Sequence, residues 1–423
     1  MARFSRMILL AAAAGSLAGA APPAPPAPSS GELPSGAQWA AEVPANWNGT
    51  LLLWSRGYSA RAGDPELAPA AWKQALLDQG YALAASNYGA SGWALAEAVP
   101  AQRGVVGAFT RAYGAPKRVI GWGQSMGGLV TTALAEQRQP VISGGIALCP
   151  SIGGAVGMMN MALDGAFAFR TLVAPDAGIA LVGVADDMAN GRAVQAALDA
   201  AMKTPEGRAR VALAGVLAGI PGWTRRDHPR PAESDHAAQV DEIAASFVAG
   251  VFLPRGDQER RAGGVFSWNT GVDYRRQLAR SGRSAMVEAL YRQAGLSLSD
   301  DLARLAAAPR IAAAPKAVAY MMAHYTPSAR PAVPLLSVQA IGDGATSPSL
   351  QQAWLDAAPR RMTQGLWLDA AGHCGMGVET ALTALHQLEA RLAKGAWPAR
   401  PAGTIAWTAP PMLRPCRRGG RCE

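Results

Sequence analysis

Short apolar segments bounded by turn residues alternate with helical patterns along two parts of the chain. The apolar segments cover residues 39–43, 50–54, 81–86, 117–122, 144–149, 334–341 and 365–369. The helical patterns cover residues 67–79, 94–113, 128–137, 349–357 and 378–394. Parallel strands need such crossover segments between them, so the alternation predicts an α/β fold with a mostly parallel sheet flanked by helices. Asn48-Gly49, between the first two apolar segments, predicts a hairpin turn.

The alternation stops between residues 150 and 331, where Ala- and Arg-rich helix candidates dominate. A helical block within an alternating pattern is most simply an insertion on one face of the sheet. We therefore predict an α/β core of residues 37–150 and 333–400, a helical lid of residues 151–332 and a C-terminal tail of residues 401–423. The chain has 423 residues, half of them hydrophobic, which is enough material for a large core.

The first residues have the pattern of an export signal. Arg3 and Arg6 precede a short apolar run, and Ala18-Gly19-Ala20 supplies small residues for cleavage. We predict a signal peptide over residues 1–20, a Pro-rich linker over residues 21–36, and an exported protein that is periplasmic or secreted. A buried N-terminal helix is the alternative. No later segment is apolar for long enough to suggest a bilayer crossing, so we expect no stable membrane insertion.

Cysteine content agrees with export. The chain has four cysteines, and an even number in an exported protein suggests disulfides. Cys416 and Cys422 bracket a short tail segment and are expected to pair, which leaves Cys149 and Cys374 for each other. Two buried free thiols are the alternative for the second pair.

Charge and motifs argue against several classes of function. The formal net charge is +9, but the basic residues are dispersed and form no basic-aromatic stripe of the kind that binds nucleic acid. The sequence contains no H-E-x-x-H, C-x-x-C, Walker or dinucleotide-binding motif. We therefore expect no metal, no organic cofactor and no nucleic-acid partner.

One local motif carries a specific chemistry. Residues 121–128 read GWGQSMGG and contain G-x-S-x-G between an apolar segment and a helical pattern. In that context the serine occupies a sharp strand-to-helix turn that exposes its hydroxyl, and the glycines relieve crowding of the backbone. Ser125 is therefore the candidate nucleophile. An ordinary Gly-rich turn is the alternative.

A serine hydroxyl needs a base, and the base needs a group that orients it. Of the five histidines, His373 alone follows a late apolar segment, in the Gly-flanked sequence AGHCG. Asp343 follows the preceding apolar segment in IGDG, and is the candidate orienting acid. Asp369 is the alternative acid, but it lies very close to His373 along the chain. In folds that carry G-x-S-x-G at a strand-to-helix turn, the acid and the histidine follow the serine in this order.

The sequences GWGQSMGG, SRGYS, IGDG and AGHC together resemble the α/β-hydrolase superfamily over residues 38–150 and 333–395. Within it the chain is similar to secreted bacterial serine esterases and lipases, and less closely to prolyl-oligopeptidase-type peptidases. His373-Cys374 also resembles the tannase and feruloyl esterase group. In that group a disulfide joins the residue before the nucleophile to the residue after the histidine, and here Gln124 occupies the former position.

Together the motifs and the resemblance predict a site and an activity. The backbone N–H groups of Met126 and Tyr58 would form an oxyanion hole, and Tyr88, Gln124 and Trp268 are candidate substrate-binding residues. We expect a carboxylic ester hydrolase that acts on a small-molecule substrate through an acyl-enzyme. An amidase or peptidase of the same fold is the first alternative, and a non-catalytic binding protein that keeps the fold is the second. The oligomeric state is left open.

Overall fold

The computed structural model describes residues 26–252 and 254–422, and the predicted signal peptide lies outside these residues. One eight-stranded sheet forms the centre of the molecule. Its strands are β1 (Ser29–Glu32), β2 (Gln38–Glu42), β3 (Thr50–Ser55), β4 (Ala82–Ser86), β5 (Arg118–Gln124), β6 (Gly144–Leu148), β7 (Leu335–Gly342) and β8 (Thr363–Ala371). Their order across the sheet is β1-β2-β4-β3-β5-β6-β7-β8. Strands β3 to β8 are all parallel to their neighbours within this group, whereas β2 is antiparallel to both β1 and β4. The predicted mostly parallel sheet is confirmed.

Helices cover both faces of the sheet, which is why the central strands are apolar throughout. On one face lie α2 (Leu95–Tyr113), α3 (Met126–Ala135) and α13 (Pro348–Ala357), and on the other lie α1 (Ala70–Asp78) and α14 (Val378–Lys394). The side chains of β3 alternate accordingly. Leu51 and Leu53 pack on the α2 side, and Leu52 and Trp54 pack on the α1 side. Burial on both faces explains the nearly continuous hydrophobic strands.

Two sequence expectations near the N-terminus differ from the structure. The predicted hairpin at Asn48-Gly49 is wrong, because β2 pairs with β4 and not with β3. Strand β3 is already paired with β4 on one edge and β5 on the other, so it has no edge left for β2. In addition, the part of the predicted linker that the structure describes contains β1, which extends the sheet beyond β2.

Residues 151–332 form a helical block with its own hydrophobic core. Its helices are α4 (Ala155–Leu172), α5 (Asp187–Ala201), α6 (Pro205–Leu217), α7 (His236–Val251), α8 (Gly256–Ala262), α9 (Tyr274–Arg280), α10 (Ser284–Gln293), α11 (Leu298–Ala307) and α12 (Pro315–Tyr325). We call this block the cap. Helix α4 joins it to the sheet, because Met158 and Met159 pack in the sheet core while Phe167 and Phe169 pack in the cap core. By length and composition alone, His236–Ala262 could cross a membrane, but the described part of α7 buries one face in the cap core.

The C-terminal tail packs on both the sheet and the cap. Ile405 bridges to Trp367 of β8, at the edge of the sheet. Further along, the fully buried Arg414 donates a hydrogen bond from Nη1 to Asp164 Oδ2 of α4 at 2.8 Å. A disulfide between Cys416 and Cys422 closes the end of the tail, as the sequence predicts. The tail therefore ties the cap to the edge of the sheet.

Candidate active site

The turn between β5 and α3 places a serine at the carboxyl edge of the sheet. Ser125 is the single residue between the two elements, and its backbone has φ 56° and ψ −120°. Such a positive φ is rare for a residue with a side chain and is a mark of a strained turn. The turn is also crowded, since a Cβ on Gly123 would lie 2.6 Å from the carbonyl oxygen of Gly127. Glycines two residues before and two after the serine are thus required sterically.

The loop between β8 and α14 brings a histidine to this serine. His373 Nε2 lies 2.9 Å from Ser125 Oγ, although the two residues are 248 positions apart in the sequence. The imidazole side chain is 31% exposed, so solvent reaches part of it. This distance allows the hydroxyl to donate its proton to Nε2.

The loop after β7 supplies a buried carboxylate on the other side of the ring. Asp343 is fully buried, and its Oδ2 lies 2.8 Å from His373 Nδ1. Its Oδ1 accepts the N–H groups of Ala345 and Thr346 at 2.9 and 2.8 Å. These bonds fix the carboxylate, and a carboxylate at Nδ1 favours the tautomer that leaves Nε2 free to accept a proton.

The alternative acid is far from this arrangement. The side chain of Asp369 is 56% exposed, and its carboxylate lies 3.6 Å from Nη1 of Arg230. The structure brings Asp343, and not Asp369, to the histidine ring.

Thr346 is a site residue that the sequence analysis missed. Its Oγ1 lies 2.9 Å from Asp343 Oδ2 and 3.1 Å from the carbonyl oxygen of Cys149. The hydroxyl therefore links the acid loop to the end of β6. An Asp-Gly-x-Thr sequence is a common turn pattern and could have drawn attention to it.

A disulfide holds the histidine loop against the sheet. Cys374, which directly follows His373, is bonded to Cys149 at the end of β6, and their Cα atoms are 5.3 Å apart. In β5, Gln124 pairs with Leu148 of β6, so Cys149 sits one residue past the strand position beside Gln124. The disulfide thus joins the histidine loop to the end of β6, and not to Gln124, the residue before the serine. Within the described residues, Cys149, His373 and Cys374 are also the one cluster with metal-ligand spacing, but its thiols are consumed by the disulfide.

The strand order and the positions of the three side chains decide the fold family. The serine follows β5, the acid follows β7 and the histidine follows β8, all at the carboxyl ends of parallel strands. The serine lies in a strained strand-to-helix turn and precedes the acid and the histidine in the chain. The chain has the α/β-hydrolase fold. The predicted resemblance to this superfamily is confirmed.

Two backbone donors are available beside the serine of this α/β-hydrolase fold. In the described part of the chain, the N–H groups of Met126 and Tyr58 make no hydrogen bond to protein. Met126 begins α3, where backbone N–H groups have no helical acceptor. The loop that carries Tyr58 is close to Ser125, because a Cβ on Gly57 would lie 3.5 Å from Ser125 Cβ.

Arg56, which belongs to this loop, bonds it to the loop after β4, a role that the sequence analysis did not predict. Its guanidinium donates to the carbonyl oxygens of Gly57, Asn87 and Ala90 at 3.1, 3.2 and 2.6 Å. Burial lowers the pKa of Arg56 below its usual value. Tyr88 stacks under the guanidinium at 4.6 Å and donates its hydroxyl proton to the Arg56 carbonyl oxygen at 3.0 Å. Tyr88 is thus buried as a support of the loop.

The other two candidate substrate-binding residues lie in different surroundings. Gln124 is partly exposed at the end of β5, next to Ser125. Trp268 lies in the cap, where its carbonyl oxygen accepts a hydrogen bond from Arg414 of the tail at 3.0 Å. A substrate-binding role remains a prediction for both residues.

A segment of the cap reaches the histidine loop. The exposed Arg226 donates from Nη2 to the carbonyl oxygen of His373 at 3.4 Å. The buried Glu242 of α7 anchors this segment by accepting the N–H groups of Thr224 and Arg225 and the Arg225 guanidinium. Burial by itself raises the pKa of Glu242, but these hydrogen bonds outweigh it and lower the pKa. The cap and the histidine loop are therefore in direct contact.

Sequence similarity connects the chain to a protein of known activity. No protein-family model matches the chain. The chain is 29% identical over 406 residues to an o-phthalyl amidase from Xanthobacter agilis, covering 87% of this chain and 88% of the amidase.

Solved structures resemble the chain at low sequence identity. An esterase from Aspergillus oryzae aligns with a TM-score of 0.41 and 12% identity, covering 86% of this chain and 78% of the esterase. A proline iminopeptidase from Mycobacterium smegmatis aligns with a TM-score of 0.39 and 14% identity, covering 87% and 98% of the two chains.

Proposed function

We propose that this protein is a serine hydrolase that cleaves ester or amide bonds through an acyl-enzyme. One observation carries the proposal: Ser125 Oγ, His373 and Asp343 form a continuous hydrogen-bonded series, with distances of 2.9 and 2.8 Å. The similarity to an amidase over most of the chain supports the same class of reaction.

In the first half of the proposed reaction, Ser125 Oγ attacks the substrate carbonyl carbon while its proton passes to His373 Nε2. The carbonyl π electrons move to the oxygen, and the N–H groups of Met126 and Tyr58 bind the resulting oxyanion. Asp343 stabilises the imidazolium. When the tetrahedral intermediate collapses, the carbon–oxygen or carbon–nitrogen bond to the leaving group breaks. The imidazolium gives its proton to that group, and an acyl-serine remains.

In the second half, water replaces the leaving group. The oxygen of the water attacks the acyl carbon while His373 Nε2 accepts a proton from that water. The second oxyanion that results is bound by the same two backbone N–H groups. Collapse of this intermediate breaks the bond to Ser125 Oγ, which takes the proton back from the imidazolium. The carboxylic acid is released and the enzyme is regenerated.

A labelling experiment tests serine catalysis directly. A fluorophosphonate probe should modify the wild-type protein at one site and should not modify Ser125→Ala. Ser234→Ala, which changes an exposed serine of the cap, is the matched control and should label like the wild type. Absent labelling of folded wild type, or equal labelling of Ser125→Ala, would support the alternative of a non-catalytic binding protein.

Within this class we propose a carboxylic ester as the preferred substrate, because an alkoxide leaves with less help than an amine. The second candidate is an amide, and the 29% identity to the o-phthalyl amidase favours it. Rates on p-nitrophenyl esters and on the matching p-nitroanilides distinguish the two, with Ser125→Ala as the background. Turnover of anilides without turnover of esters would reject the ester preference.

We further propose that the protein is exported and that the cap serves as the lid of the site. Both disulfides are compatible with an oxidising compartment, where such bonds persist. The contact between Arg226 and the His373 loop supports a cap that borders the nucleophile. Mass spectrometry of protein from the cell envelope tests export: an N-terminus near Ala21 is expected, and an intact Met1 in cytoplasmic fractions would reject it.

A further inference from the structure

A cavity bordered by the cap lies outside the serine site. Its volume is about 460 Å³, and neither Ser125 nor His373 lines it. Three parts of the molecule meet there: the cap, the β7–α13 region of the sheet, and the tail. The residues that line it include the hydrophobic residues Trp223, Trp407 and Ile341. A volume of this size is in the range that small-molecule sites occupy.

One wall of this cavity carries a guanidinium without an anionic partner. Arg283, the residue before α10, donates from Nη1 to the carbonyl oxygen of Ile220 at 2.5 Å, and its Nη2 lies 3.4 Å from Met286 Sδ. Within the described residues, no carboxylate oxygen lies within 4 Å of it. Removal from water lowers the pKa of Arg283 to about 10, so it remains a cation at neutral pH.

The guanidinium is held in a fixed position. A Cβ on Gly222 would lie 3.0 Å from Arg283 Nη2 and 2.8 Å from Gln239 Oε1, so the backbone of the cap passes directly over the charged group. The bond to Ile220 restrains it from the other side. A cation that is fixed and partly desolvated in this way is ready to bind an anion with little further loss of entropy.

Two other charged side chains line the same cavity, and both are exposed. Arg230 lies 3.6 Å from Asp369, which partly neutralises it, and Glu233 carries a negative charge. Arg283, by contrast, is only partly exposed. The cavity therefore combines two exposed charges of opposite sign with an uncompensated cation in its wall.

We propose that this cavity is a binding site for a small organic carboxylate that carries an aromatic ring. The carboxylate pairs with the guanidinium of Arg283, for which planar carboxylates are the matching partner. The ring contacts Trp223, Trp407 and Ile341, where aromatic and apolar surfaces are available. The site is separate from the serine and does not depend on the proposed hydrolase activity.

The first test needs only the wild-type protein. Calorimetric titration with sodium benzoate should show saturable binding at one site, and benzamide, which has the same ring without the charge, should bind at least about 10-fold more weakly. The experiment is repeated after Ser125 has been capped with a fluorophosphonate, which should leave benzoate binding unchanged. If the wild type fails to bind benzoate, or binds benzamide equally well, the proposal is rejected.

The second test locates the site. Arg283→Gln should weaken benzoate binding about 10- to 100-fold, and Arg283→Lys, which keeps the charge, should weaken it less. Arg276→Gln removes an exposed charge from the neighbouring α9 and should bind like the wild type. Circular dichroism verifies that each variant is folded. If Arg283→Gln binds benzoate as the wild type does, or if binding disappears when Ser125 is capped, the ligand does not occupy this cavity.

Discussion

The disulfide between Cys149 and Cys374 should affect both stability and catalysis, and the tail disulfide provides a matched comparison. Cys149→Ala/Cys374→Ala removes the bond beside His373, whereas Cys416→Ala/Cys422→Ala removes the bond in the tail. Each double variant loses two sulfur atoms and one disulfide. The two differ in the length of chain that the bond closes and in the distance from the histidine along the chain.

The loop lengths set the expected difference in stability. The first disulfide joins residues 225 positions apart and the second joins residues 6 positions apart. Closing the longer loop in the unfolded chain corresponds to about 5 kcal/mol of stabilisation, and closing the shorter one to about 2 kcal/mol. We therefore expect urea titration to give a free energy of unfolding that is about 3 kcal/mol lower for the first variant than for the second.

The catalytic effect should be confined to the first variant. Without the bond, the loop that carries His373 loses its covalent tie to β6, and a displacement of about 1 Å between reacting groups can reduce a rate about 100-fold. The assay is the rate at which a fluorophosphonate labels Ser125, measured where both variants are folded. If the Cys149→Ala/Cys374→Ala protein labels at the wild-type rate, the disulfide does not position the histidine. If both variants slow equally, the effect is one of general stability.

Three further substitutions test contacts that support the loops, the tail and the cap. Arg56→Ala removes the donors that hold the loop beside Ser125, so we expect fluorophosphonate labelling to slow about 10- to 100-fold. Arg56→Lys should recover part of the rate, and unchanged rates would contradict a positioning role. Arg414→Met leaves Asp164 buried without its cation and should lower the free energy of unfolding by about 3–5 kcal/mol in urea titration, whereas adding Asp164→Asn should restore part of the loss. Burial alone would raise the pKa of Glu242, but the hydrogen bonds to its carboxylate lower the pKa overall. The ionised Glu242 therefore stabilises the fold fully above the unfolded pKa of about 4.3, and this stabilisation is lost as the pH falls through the lower, folded pKa. Glu242→Gln should therefore melt below the wild type at pH 7, and the difference should shrink towards pH 3; a constant difference would show that ionisation is not its cause.

Several elements of the site follow from local sequence. The turn at Ser125 needs glycine on both sides, and that requirement is visible in GWGQSMGG without a structure. Asp343 and His373 follow the last two apolar segments of the alternating pattern, and parallel strands bring their carboxyl ends to one edge of a sheet. The positions of all three side chains at that edge could therefore be predicted, because chain order and strand direction suffice.

Other features depend on partners that are distant in the sequence. Nothing near Gln38–Glu42 reveals that β2 pairs with β4, because the choice depends on which strand edges remain open after β3 is paired. The same is true of Arg56, whose three carbonyl acceptors come from two separate loops. In the sequence, nothing distinguishes Arg283 from the other arginines. Only the folded molecule shows that it lines a cavity between the cap, the sheet and the tail.

Local sequence is enough to predict the α/β alternation, the strained serine turn and the order of the three polar side chains, because each depends on backbone sterics or on the direction of consecutive elements. The pairing of strand edges, in contrast, is visible only in the folded molecule. So are the hydrogen bonds that hold the loop beside the serine and the position of Arg283 away from any carboxylate of the described residues. Those outcomes depend on burial and on contacts across the whole chain, and a local pattern contains no information about either.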